Sequence, residues 1–349
     1  MSDNLVISID AMGGDNSPRV VIEGLAIAAG KNPDAKFLLF GDEAKIMEIL
    51  NSHPALKKVC EVRHSSEIVR NDDKPSAVIR NRNTSMFMAI NAVKQGEAQA
   101  VVSAGNTGAL MAISKLTLKT MSKIHRPAIV TIMPHRTGKY VMLDLGANTE
   151  CDALNLSEFA LMGNILAKHA LGIAQPRVAL LNIGAEEMKG KEEIHQAAKI
   201  IKNSKLDIDF IGYIEPHEIP EGKADVIVTD GFTGNIALKS IEGTAKLVVR
   251  LIKDSIKKSI LAKIGLPFML GVGLRIKKTM DPRLYNGAML VGLNGLTVKS
   301  HGGTDALGYS VAVGNAVSLV RQNFVSTIRS ELETVDLDVL SEEILYDAY

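Results

Sequence analysis

The residues able to do chemistry in this chain gather in short glycine-containing loops. They are AMGGDNSP at 11–18, SAGNTGA at 103–109, LGANTE at 145–150, NIGAEEMKG at 182–190, TDGFTGN at 229–235 and SHGGTD at 300–305. Glycine lets a backbone approach a ligand closely, and the Asp, Asn, Thr or Glu that follows is placed either to cap a helix or to touch that ligand. Two loops are alike: AVVSAGNTGAL at 100–110 and VIVTDGFTGNIAL at 226–238 both run from an apolar stretch into G-x-T-G. Amides at a helix N-terminus beside a threonine hydroxyl suit an anion. Asn106, Thr107, Gly108, Thr233, Gly234 and Asn235 are therefore candidate phosphate contacts. Asp10, just before the first loop, and Gly13, Gly14 and Asp15 within it join them, with Asn148 after Asp144, and with His301, the one histidine of eight within these loops.

The fourth loop brings Asn182, Glu186 and Lys189 just past an apolar run. Glu186 and Lys189 are three apart and share a face if a helix begins there. A lysine and a carboxylate at a cleft orient phosphate and move a proton; the alternative is an ordinary surface ion pair. Asp230, before GFTGN, is a further candidate acid. Cys151 has no histidine close in sequence, which speaks against a covalent cysteine mechanism. No G-x-x-x-x-G-K-[ST] motif and no G-x-G-x-x-G after the first apolar run occurs, so the usual nucleotide sites are disfavoured and inorganic phosphate or a phosphorylated group remains.

Something must position these loops. Apolar runs at 5–9, 37–40, 100–103, 128–133, 140–145, 178–183, 209–214, 226–229 and 296–298 alternate with helix-length stretches at 17–30, 76–95, 152–171, 187–203 and 235–264. Strands apolar throughout and alternating with helices imply an α/β fold with a mainly parallel sheet covered on both faces. Such sheets bind ligands at the carboxyl ends of their strands, so six loops there imply one large cleft.

Composition narrows the classes. With 349 residues, 46% hydrophobic and net charge +1, the chain can bury a core and is not a disordered one. Aromatics at 4%, no Trp and no overall basic excess argue against a nucleic-acid partner. Cys60 and Cys151 make no disulfide framework, no zinc spacing exists, and no long apolar run or leader-like start is present. The expectation is a soluble protein of a reducing cytoplasm, without a structural zinc.

That near-zero charge conceals polarisation. From Lys246 to Lys278 there are nine basic residues and one acid, Asp254, whereas residues 331–349 hold seven acids and no base. Val248, Ile252, Ile256, Ile260 and Ile264 recur every four residues, with Arg250, Asp254, Lys257 and Lys258 mostly on another side. Followed by LPFML at 266–270, this basic amphipathic segment reads as a contact for a membrane surface or an acidic partner, through Lys257, Lys258, Ile260, Leu261 and Ile264, or else as a dimer seam. The domain reading is one α/β unit at 1–330, carrying the basic segment at 246–278, and an acidic tail at 331–349.

IDAMGGD (9–15), SAGNTGA (103–109), LDLGAN (143–148), NIGAEEMKG (182–190), TDGFTGN (229–235) and HGGTDA (301–306) occur in this order across residues 4–325. In these blocks the sequence resembles the bacterial phosphate acyltransferases of phospholipid synthesis, the acyl-ACP:phosphate transacylases. The resemblance implies a three-layer α/β/α sandwich similar to the isocitrate and isopropylmalate dehydrogenase superfamily, a homodimer, and no metal or organic cofactor. It implies that inorganic phosphate attacks the thioester of a fatty acyl group on acyl carrier protein, giving acyl phosphate that passes to a membrane glycerol-3-phosphate acyltransferase. With the basic segment at 246–278 read as a surface contact, peripheral membrane association is a further expectation.

A thioester expels a thiolate, and phosphate is already anionic, so the chemistry needs neither a Ser/His/Asp triad nor a metal. It needs in-line positioning and donors for the developing oxyanion. In this reading Lys189 is a charge clamp, with Asn182 and Glu186 orienting. The competing readings are a decarboxylating dehydrogenase of the isocitrate type and a non-catalytic protein that binds phosphate or a lipid surface.

Overall fold

The computed structural model describes residues 5–186, 188–204, 206–259, 281–334 and six positions between 261 and 273. Its strands are β1 (Leu5–Asp10), β2 (Ala35–Gly41), β3 (Cys60–His64), β4 (Ala100–Ser103), β5 (Ala128–His135), β6 (Gly138–Leu143), β7 (Arg177–Leu181), β8 (Asp209–Ile214), β9 (Val226–Val228), β10 (Ala288–Val291) and β11 (Leu296–Lys299). The helices are α1 (Arg19–Lys31), α2 (Glu43–Leu50), α3 (Pro54–Lys57), α4 (Pro75–Val78), α5 (Ser85–Lys94), α6 (Thr107–Leu118), α7 (Ala153–Leu171), α8 (Glu192–Asn203), α9 (Gly231–Lys258), α10 (Ala306–Arg321) and α11 (Phe324–Thr334). One 11-stranded sheet runs in the order β3-β2-β1-β4-β11-β10-β5-β6-β9-β7-β8.

Successive strand side chains point to opposite faces, and here both faces are apolar. Ile7 and Ile9, Phe37 and Leu39, and Val141 and Leu143 enter one core with residues of α1, α7 and α10. Leu38, Phe40, Tyr140 and Met142 enter a second core with residues of α5 and α6. Helices on both sides of a mostly parallel sheet make the expected three-layer α/β/α sandwich. Each fully buried Ile, Leu or Phe contributes about 1.5–3 kcal/mol, so these two cores supply the main stabilising term.

The strand directions overturn the single cleft. Ladders β10–β11, β10–β5 and β5–β6 are antiparallel, and the other seven are parallel. Following the register, β1, β2, β3, β4 and β11 end on one edge of the sheet, while β6, β7, β8 and β9 run the opposite way and end on the other. Local composition shows that a stretch is a strand; pairing direction is decided by partners far along the chain. The six loops therefore form two groups on opposite edges.

Smaller departures have local causes. The stretch 76–95 is not one helix: it is α4 and α5, restarted where the Thr84 hydroxyl accepts the Phe87 amide at 3.2 Å. The helix expected from 187 begins at Glu192. At the other end, α11 runs to Thr334 with Leu332 buried, four residues past the boundary at 330. Tail residues 335–349 lie outside the described residues.

Candidate functional site

The first loop group stands at the carboxyl ends of β6, β9 and β7. Asp144 is its buried frame: Oδ1 accepts the amides of Ile129, Gly146 and Ala147 at 2.9, 3.2 and 3.0 Å, and Oδ2 accepts the Asn148 amide and side chain at 2.7 and 2.9 Å. Burial pushes this carboxyl's pKa up, against donors that favour the charged form. Asn148 spends its Nδ2 on Asp144 and on the Pro127 carbonyl, so this amide group braces the loop. Backbones are close: a Cβ on Gly231 would lie 2.6 Å from the Asn148 carbonyl oxygen, and one on Gly234 would lie 1.9 Å from that of Asp144.

Asp230 caps α9, accepting the Thr233 amide at 2.7 Å and the Thr233 hydroxyl at 2.9 Å. The expected catalytic acid is thereby occupied as a helix cap. The expected amide cradle is also corrected, because the amides of Gly231, Thr233 and Gly234 bond to Asn148, Asp230 and Asp230. What remains open there is the side chain of Asn235, half-buried and facing Gly146; two exposed, ion-paired lysines stand on the neighbouring loop.

On that loop Lys189 and Glu186 form an ion pair at 2.9 Å, both well exposed, within a turn instead of a helix. Each ion holds the other charged: Glu186 lowers in pKa and Lys189 rises. Asn182 is buried; its Nδ2 donates to the Lys189 carbonyl at 2.6 Å, and its Oδ1 has no partner among the described residues. Gly190, at φ 108°, lies against that Asn182 amide. Lys191, which sequence reasoning missed, reaches to 3.6 Å from Asp230 Oδ2 and ties this loop to α9. Its only signal in the sequence was its place two residues past Lys189.

Large apolar side chains flank the same polar groups in exposed positions: Ile183 and Met188 beside Lys189, Phe232 and Ile236 beside Asn235. Cys151 lies at the same edge, its thiol donating to the Asn148 carbonyl at 3.8 Å. Burial, with Asp144 and Asp230 adding to it, pushes its thiol up to about 12, too high for a thiolate nucleophile at neutral pH.

The second group stands on the opposite edge, at β1, β4 and β11. Asp10 is buried and accepts the hydroxyls of Ser85 and Ser103, each at 2.7 Å. A Cβ on Gly13 would lie 2.6 Å from both Asp10 Oδ2 and the Gly105 amide; Gly14 takes φ 105° against the Gly302 carbonyl. The Asp15 amide donates to Gly302 at 3.0 Å, and Asn71 donates to its carboxylate at 3.0 Å. Asn106 caps α6 through the Ala109 amide and donates to the carbonyls of Asn71 and Asp73, anchoring the loop that carries them. Thr107, Gly108 and His301 are exposed, and His301 Nδ1 accepts the Gly303 amide at 3.1 Å. Lys299, also missed, ends β11 among these groups. Burial pushes it down to about 8 despite the charges of Asp10 and Asp15.

Of the basic segment, Lys257, Lys258 and Leu261 are exposed, while Ile260 and Ile264 lie outside the described residues. Beyond Ile241 no apolar residue of α9 belongs to either core, and Leu247, Leu251 and Ile252 are exposed. No helix among the described residues is long and apolar enough to cross a membrane.

This fold is shared with acyl-transferring enzymes. A phosphotransacetylase from Streptococcus pyogenes superposes with TM-score 0.61 at 18% identity, over 91% of this chain and 94% of that one. A 4-hydroxythreonine-4-phosphate dehydrogenase from Klebsiella pneumoniae superposes with TM-score 0.50 at 13% identity, over 90% and 99%. Both show the fold alone. Sequence goes further: residues 5–327 match the family described as fatty acid synthesis protein. A phosphate acyltransferase from Rhodospirillum rubrum is 48% identical over 338 residues, 97% of each chain. One from Granulibacter bethesdensis is 50% identical over 327 residues, 94% of this chain and 89% of that one. The protein is an acyltransferase of lipid biosynthesis. It belongs to the phosphate acyltransferase family.

Proposed function

We propose that the chain transfers a fatty acyl group from acyl carrier protein to inorganic phosphate, and that the β6, β9 and β7 edge is where this happens. The observation that carries the reading is the pairing, on one edge, of exposed cations and a free side-chain amide with exposed apolar side chains on the same loops. Lys189 and Asn235 supply charge and a hydrogen bond for a phosphate, Lys191 holds their loop against Asp230, and Ile183, Met188, Phe232 and Ile236 supply apolar surface for an acyl chain.

In the reaction a phosphate oxygen attacks the thioester carbonyl carbon, the carbon–sulfur bond breaks, and the thiolate takes up a proton from solvent. Lys189 swings between Glu186 and the incoming phosphate, and Asn235 Nδ2 donates to the developing oxyanion. Asn182 holds the Lys189 backbone. The opposite edge, with Asp10, Gly13, Gly14, Asp15, Thr107, Gly108 and His301, contributes from a second copy in a homodimer whose seam is the apolar side of α9. The exposed Lys257 and Lys258 offer an acidic carrier protein its docking face, and the same charge draws the protein to an anionic membrane.

The test is mass-spectrometric detection of acyl phosphate from acyl carrier protein thioester and inorganic phosphate. Absence of that product with folded protein, or reduction of NAD by 2-hydroxy acids, overturns the reading in favour of a binding protein or a dehydrogenase.

A further inference from the structure

A second feature lies far from that edge. Between α5, α6 and the loop joining α4 to α5, over β2 and β3, is a half-open cavity of about 790 Å³. Volumes of about 300–1,000 Å³ are typical of sites for small organic ligands. Its floor is apolar: Phe40, Ile79, Phe87, Ile113 and Leu116 line it, and Leu116 stays 60% exposed at its mouth. β2 is six strands from β6 in the sheet, a span of about 29 Å at the usual strand spacing, so the cavity is not the acyl end of the proposed reaction site within one chain.

Its rim is cationic. Arg63, Arg80, Arg82 and Lys94 line it against a single acid, Glu97. Arg63 is neutralised, paired with Glu61 and Glu97, and its guanidinium stands 5.8 Å over the Phe40 ring. Arg80, Arg82 and Lys94 are exposed and have no ion-pair or hydrogen-bond partner among the described residues. Three unpaired cations above an apolar floor match a ligand with one anionic end and one hydrocarbon end. A nucleotide fits less well, because the Phe40 face that a base would stack on already carries Arg63.

We infer that this cavity binds a single-chain anionic amphiphile, an alkyl or acyl chain ending in a phosphate or carboxylate, with the chain along Ile79, Phe87 and Leu116 and the head held by Arg80, Arg82 and Lys94. The inference stands on the cavity and does not depend on the acyl-transfer reading.

Titration calorimetry on the full-length protein tests it, with dodecyl phosphate and dodecanoate below their micelle concentrations and with dodecanol, inorganic phosphate and ATP as comparisons. Dodecyl phosphate should bind saturably. Arg80→Glu with Arg82→Glu should weaken it roughly tenfold or more, since charge-assisted contacts are lost and reversed. Lys94→Glu alone, from a different element, should weaken it in the same direction, and Lys189→Ala should leave it intact. Tighter binding of the phosphate than of dodecanoate would indicate an acyl-phosphate-like head; equal binding would indicate any fatty acid. The inference falls if dodecyl phosphate shows no saturable binding, if both rim variants bind it as wild type does, or if ATP or inorganic phosphate binds as well.

Discussion

Lys191 Nζ lies 3.6 Å from Asp230 Oδ2, so the loop after β7 is tied to the cap of α9, and Lys189, two residues earlier, is held over the same edge. The two lysines should separate kinetically. Lys189→Ala removes the charge assigned to phosphate and should lower acyl-phosphate turnover on the order of 100-fold, as loss of a single oxyanion donor does. Lys191→Ala should act through loop position, with a smaller loss expressed mainly in the KM for phosphate. Near-normal turnover by folded Lys189→Ala would remove this edge from the chemistry.

Asn235 has a free amide because its neighbours are spent: Thr233 on Asp230, and Gly234 on the Asp230 carbonyl. Asn235→Ala deletes a donor, and Asn235→Asp puts a negative charge beside the incoming phosphate. The aspartate variant should therefore be the slower of the two, most of all at low phosphate. Steady-state rates across phosphate concentrations check this, and equal losses would mean that the amide does not face the anion.

Two glycines of α9 make a matched pair. A Cβ on Gly234 would meet the Asp144 carbonyl oxygen at 1.9 Å, whereas one on Gly243 meets nothing within 4 Å. Gly234→Ala must shift backbone around the Asp144 frame and should lower stability, with a fall in the thermal midpoint. Gly243→Ala should instead stabilise by roughly 0.5–1 kcal/mol, the usual difference within a helix. Denaturant midpoints read both, and the prediction fails if the two substitutions have the same sign.

Much of the sandwich was legible because strands buried on both faces are apolar residue by residue, as in FLLF and VALLNI. Two strands were not. CEVRH of β3 alternates polar residues because it pairs on one side only, at the sheet edge, and AMLV of β10 follows a turn that gives no sign of its antiparallel pairing. That unseen reversal separates loops which look equivalent in sequence: both G-x-T-G motifs follow strands and open helices, yet they face opposite edges. Within the site, Glu186 and Lys189 were legible as a pair from their spacing. The roles of Asp230 and Asn106 as caps were among the alternatives, and only the amides they hold decide between capping and ligand contact.

Lys299 gives the chain a pH signature. Burial holds it at about 8 in the folded protein, against 10.5 in an unfolded chain. Below pH 8 the folded state bears the full cost of burying the ammonium; between about 8 and 10.5 the unfolded state binds more protons, so stability contributed by this group rises with pH. Wild type should therefore gain stability relative to Lys299→Met across that window. Denaturant unfolding of both proteins at several pH values measures the difference, and a flat difference would show that Lys299 keeps its ordinary basicity.

The outer part of α9 bears apolar residues that nothing among the described residues covers: Leu247, Leu251 and Ile252 are 54%, 56% and 45% exposed. Leu247 and Leu251 are one turn apart and share a stripe, so a partner helix lying along it would bury both. Wild type should sediment as a dimer, and Leu247→Glu with Leu251→Glu, which would place two carboxylates in that seam, should sediment as a monomer. If the edges of two copies complete one site, acyl-phosphate formation should fall with dimer content and recover as protein concentration is raised. A variant that stays dimeric would place the seam elsewhere. One that becomes monomeric yet remains fully active at all concentrations would show that a single chain holds the whole site, and the β1, β4 and β11 loops would then have no part in the reaction.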